Sequence, residues 1–76
     1  MNRVFGSASY TTMLDRSVTE GWADVELRCS GVSEPVASVV YWDAQGHFSL
    51  EMSVPELPVE LVDALIAEAR SSIPTR

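Results

Sequence analysis

One cysteine, one histidine and five basic residues are all that the 76-residue chain has of those types. A lone Cys29 cannot close an internal disulfide, so no such brace is available to the fold. One Cys and one His also fall short of the nitrogen and sulfur donors that a zinc centre needs, and neither a metal nor a cofactor is expected. Five basic against eleven acidic residues leave a net charge of −6. That balance repels phosphate backbones and anionic bilayers, which speaks against nucleic-acid binding and against membrane docking. No apolar run approaches the ~20 residues of a membrane-spanning helix. Met1–Tyr10 lacks the apolar core of a signal peptide, so the expected location is the cytoplasm, with Cys29 a reduced and buried thiol. Catalytic signatures are missing too. The serines lie outside any G-x-S-x-G elbow, and Gly31 and Gly46 are isolated turn glycines outside any G-x-G-x-x-G or P-loop pattern.

What the chain does have is apolar residues, at 46%, enough for a globular core and too many for a disordered chain. A domain of this length buries only about 60% of its unfolded surface, which leaves it marginal without help. With disulfide and metal excluded, a partner chain is the expected source of further stability. One domain is expected over residues 21–76. Residues 1–20 are read as an arm or a short strand, in which Tyr10, Thr12 and Leu14 alternate.

Trp22–Ser30 alternates strictly. Ala23, Val25, Leu27 and Cys29 fall on one face, and Trp22, Asp24, Glu26 and Arg28 on the other, the pattern of an antiparallel strand with one wet side. Val36–Trp42, rich in β-branched and aromatic residues, predicts the next strand. Asp43-Ala44-Gln45-Gly46 reads as a type I turn with Gly46 at a bulge, returning into a strand over His47–Val54. This turn would set Asp43 opposite His47. Trp42 would then face Phe48, Val40 face Leu50, and Ser38 face Met52. Pro55 and Pro58 break the strand, and a helix is expected from about Pro58 to Ser72. Its residues Val59, Leu61, Val62, Leu65, Ile66, Ala69 and Ile73 fill an arc of roughly 160°. Acidic residues at its start and Arg70 near its end suit the helix dipole, and Pro74 stops it.

The expected architecture is α+β: a three-stranded antiparallel meander, with a possible fourth N-terminal strand, packed on one C-terminal helix in the order β-β-β-α. The helix would cover the face carrying Val25, Leu27, Cys29, Val40, Trp42, Phe48, Leu50 and Met52. One helix cannot cover both faces, so Trp22, Val39 and Tyr41 would be left on the reverse face as an interface patch. Burying a large apolar side chain is worth ~1.5–3 kcal/mol, and three together make an effective contact surface.

Polar candidates are weaker. His47 across from Asp43 has the form of a general base oriented by a carboxylate, but no nucleophile accompanies it, and a solvated turn residue making a cross-strand ion pair or hydrogen bond is the favoured reading. Asp24, Glu26 and Glu51 share a face and could bind a hard cation, but Arg28 among them reads as ordinary charge balance. The functional expectation is therefore a small cytoplasmic protein, of bacterial accessory type, that acts by self-assembly or protein–protein interaction rather than catalysis. A homodimer is expected and a separate protein partner is possible. The alternative is a small-molecule binding module with an apolar pocket at a dimer interface.

Overall fold

The computed structural model describes residues Met1–Thr75. Five strands run in chain order, β1 (Asn2–Phe5), β2 (Ala8–Ser17), β3 (Trp22–Cys29), β4 (Ala37–Trp42) and β5 (His47–Met52), followed by helix α1 (Val59–Ser72). Every strand pairs antiparallel with its neighbour, in the spatial order β1-β2-β3-β4-β5. The α+β class agrees with the sequence reading, but the sheet has five strands where three or four were expected. Residues 1–20 supply the difference. They are neither an arm nor a single strand, since β1 and β2 turn on Gly6 at φ 62° and both join the sheet. The Tyr10–Leu14 alternation is real but belongs to a ten-residue strand whose far end, Asp15–Ser17, reads as polar and hides it.

The helix lies on the inner face of the sheet, over β3 and β4. Leu61, Leu65 and Ala69 point down from it and are fully buried. Val25 and Leu27 from β3, and Ala37, Val39 and Tyr41 from β4, complete the core with Ile73. Pro58 caps the helix without a side-chain hydrogen bond, its carbonyl accepting from the Leu61 and Val62 amides. The far corner is tied as well. The Met1 ammonium donates to Glu68 Oε1 and to Thr12 Oγ1, each at 2.8 Å. Burial alone would raise the Glu68 carboxyl. Hydrogen bonds from the amino terminus and Thr12, then the ammonium charge, outweigh it and hold Glu68 below the ordinary carboxylate range.

The β4–β5 hairpin departs from the sequence reading by one residue. Trp42, not Asp43, faces His47; Tyr41 faces Phe48, Val39 faces Leu50, and Ala37 faces Met52. The turn is a four-residue loop closed by Gly46 N donating to Trp42 O at 3.0 Å, with Gly46 at φ 70°. Asp43 N is spent elsewhere, donating to Gly21 O at 2.9 Å in the neighbouring turn. A slip of one residue exchanges the faces of β5 relative to β4, and the two faces of β4 are similarly apolar, so its own alternation does not decide which is buried. Val39 and Tyr41 are therefore core residues, 2% and 5% exposed, and the expected placement of Val40 and Trp42 beneath the helix is corrected. Both lie on the outer face, where Trp42 is 39% exposed while Val40 is buried between its neighbours at 9%. Leu50 and Met52 do share the inner face, but they lie beyond the helix and are exposed. Cys29 is half-buried rather than buried.

Candidate interaction surface

Strand alternation and the observed registers assemble the outer face, which no element covers. Trp22, Asp24, Glu26 and Arg28 come from β3, Val40 and Trp42 from β4, His47, Ser49 and Glu51 from β5, and Met13 and Asp15 from β2. Trp22 sits directly opposite Trp42, with ring centroids 6.4 Å apart at an interplanar angle of 53°. The separation lies within the roughly 4.5–7 Å over which aromatic pairs interact. Of the expected interface trio Trp22, Val39 and Tyr41, only Trp22 lies here. The other two are buried under α1, where the Tyr41 ring stands 5.0 Å from Phe48 and the Arg70 guanidinium lies 5.7 Å from the Phe48 centroid. The outer-face residues that sequence reasoning missed are Trp42, Val40 (itself buried), Met13 and Asp15. The hairpin loop length was the signal that would have found the first two.

A band of carboxylates lies beside the tryptophans. Asp15 faces Asp24 across β2–β3, and Glu26 and Glu51 both pair with Ser38. Among the described residues one guanidinium answers them: Arg28 Nη2 bonds Glu26 Oε2 at 2.9 Å. A shallow depression of about 510 Å³ opens here, lined in part by Asp24, Glu26, Glu34, Ser38 and Glu51. Asp24 Oδ1 is buried with no hydrogen-bond partner. Burial, followed by the charges of Glu26, Asp15 and Glu51, pushes the Asp24 carboxyl up to about 6.

The raised value has a stability consequence of fixed sign. Below the unfolded value of 3.8 both states hold the proton, and Asp24 imposes no charge penalty. As pH rises from there through about 6, the unfolded chain releases the proton first, and stability falls. Asp24→Asn is expected to raise stability near neutral pH by roughly 1 kcal/mol, the ~1.4 kcal/mol per pKa unit being discounted for solvent screening. Well below pH ~4 the variant and the parent should be equally stable, as the two states then hold the proton alike. Urea denaturation across this range measures the difference. A parent protein that gained stability over the variant as pH rose would contradict the assignment.

The polar candidates are not drawn into one site. His47 is exposed, and its Nδ1 lies 3.3 Å from Phe48 O and 3.4 Å from Ser49 Oγ. Asp43 is in the turn beside Gly21, so the expected Asp43–His47 pairing is replaced by Trp42–His47. Glu51 lies four residues along β5 from His47. Among the described residues, no group of three or more His, Cys, Asp and Glu side chains is arranged to hold a metal ion. No helix among them is long and apolar enough to cross a membrane. No family model matches the sequence, and comparison with curated proteins and with solved structures finds no match either.

Proposed function

We propose that this chain is a protein-interaction module rather than an enzyme, and that its outer sheet face receives a cationic polypeptide. The observation that carries the reading is the Trp22–Trp42 pair on an uncovered face. Tryptophan is among the residues that dominate binding energy at protein contacts, because its large rigid area is desolvated at little entropic cost. The carboxylates give the partner its sign. Asp15, Asp24, Glu26 and Glu51 against Arg28 leave the face acidic, and interfaces match opposite potentials. A partner bringing Arg or Lys to the carboxylates and an apolar side chain to the tryptophans fits this surface. A second copy stacked face to face would set acid against acid.

Titration of tryptophan fluorescence with a synthetic peptide alternating arginine and leucine tests the proposal. Saturable binding is expected, weakening as salt is added. Trp42→Ala is expected to raise the dissociation constant by about tenfold or more, a loss of at least ~1.4 kcal/mol. Absence of binding at low salt, or affinity indifferent to Trp42→Ala, would overturn it.

A further inference from the structure

The border strand β5 leaves half of its backbone groups free. Ser53 N donates to Val36 O at 3.0 Å, and the next pair along is Ala37 with Met52. In an antiparallel ladder bonded and non-bonded pairs alternate. The amides and carbonyls of Met52, Leu50 and Phe48 therefore point away from β4, out of the sheet. The side chains of the same three residues lie on the inner face beside α1, and Leu50 and Met52 are 44% and 42% exposed.

Sheets normally guard such a border with lysine, proline, a bulge or an inward-pointing charge. The chain contains no lysine, and no proline falls between His47 and Val54. The inner-face residues of β5 are all uncharged. The opposite border is guarded by contrast. There β1 is four residues long and places Arg3 on the inner face, and the stretch of β2 that extends past it carries Arg16 on that face.

We infer that β5 pairs antiparallel with β5 of a second copy about a twofold axis through Leu50, joining two five-stranded sheets into one. This inference stands apart from the reading of the outer face, which remains free in such a dimer. The strand is self-complementary in that register. Leu50 meets Leu50, and Phe48 meets the second copy's Met52, all on the inner face. On the outer face Ser49 meets Glu51, and His47 meets Ser53. An axis through Glu51 would oppose two carboxylates, and one through Ser49 would leave Met52 against Gly46 in the turn.

Sedimentation equilibrium over a wide concentration range tests the inference on the parent chain, Leu50→Lys, Leu50→Pro and Trp42→Glu. The parent is expected to shift from monomer to dimer with concentration. Proline at position 50 removes a donor that faces outward and breaks no bond to β4, and lysine supplies the missing guard. Both should keep the parent's circular dichroism and raise the dissociation constant at least about tenfold. Trp42→Glu should leave dimerisation unchanged. If Leu50→Pro fails to fold, Leu50→Lys alone decides. A parent chain that stays monomeric up to millimolar concentration would overturn the inference without touching the peptide-binding test. So would a dimer that persists in the folded Leu50 variants.

Discussion

Leu27→Asp is expected to leave the chain unfolded at room temperature. Leu27 is 0% exposed in the middle of β3 and belongs to the same buried cluster as Leu61 and Leu65 of α1. Among the described residues no buried polar or charged side chain occupies that core, so none of them would pair with a carboxylate there. Burying one costs several kcal/mol, or forces it to remain protonated. The leucine's own contribution is lost as well, and a Leu→Ala change at such a site already costs about 2–5 kcal/mol. A domain of this length has a total stability of roughly 4–11 kcal/mol. The two losses together reach or exceed it. Far-UV circular dichroism and a urea titration measure the outcome. Leu14→Asp is the matched control, because Leu14 shares the inner face but lies beyond the helix, 48% exposed. It should cost no more than about 1 kcal/mol. A folded Leu27→Asp protein with a cooperative transition would mean that α1 does not rest on β3.

The strongest sequence signals lie where one face alone is apolar. Trp22–Ser30 alternates cleanly, and β3 appears over Trp22–Cys29, one residue shorter than expected, with Val25 and Leu27 inward. Helix α1 spans Val59–Ser72, close to expectation, because two prolines bracket it and its apolar arc is continuous. Legibility fails where both faces look alike. In β4, Ala37, Val39 and Tyr41 compete with Val40 and Trp42, and the pattern specifies no side. The choice falls to the length of the hairpin loop and to the Asp43–Gly21 backbone bond between adjacent turns, a tertiary contact invisible to local reading. The N-terminal strands were obscured for another reason. Val4, Met13 and Leu14 lie away from the helix and are exposed, so little burial imposes a hydrophobic rhythm there. The candidate surface inherits the same division. Trp22 and the acidic residues of β3 were readable, and Trp42 was not.

Paired substitutions at adjacent positions separate the two possible faces of β4. Tyr41→Glu is expected to destabilise the protein by at least about 3 kcal/mol, through loss of a large packed ring and burial of an unpaired charge. Tyr41 is 5% exposed, with Phe48 against its ring and the core of α1 nearby. Trp42→Glu, one residue on, should cost no more than about 1 kcal/mol, chiefly the aromatic contact with Trp22. Trp42 is 39% exposed, and the new carboxylate would face solvent. The three-residue turn that the sequence invites predicts the reverse order, with Trp42 inside and Tyr41 outside. Urea midpoints of the two variants therefore discriminate between registers directly, since any error in the denatured-state reference is shared by chains differing at neighbouring positions. The order also bears on function. A folded Trp42→Glu protein that no longer binds the arginine–leucine peptide would place the lost energy at the contact surface, because the core would be intact. A Trp42→Glu protein as unstable as Tyr41→Glu would put that tryptophan back beneath the helix and remove the outer face's second anchor.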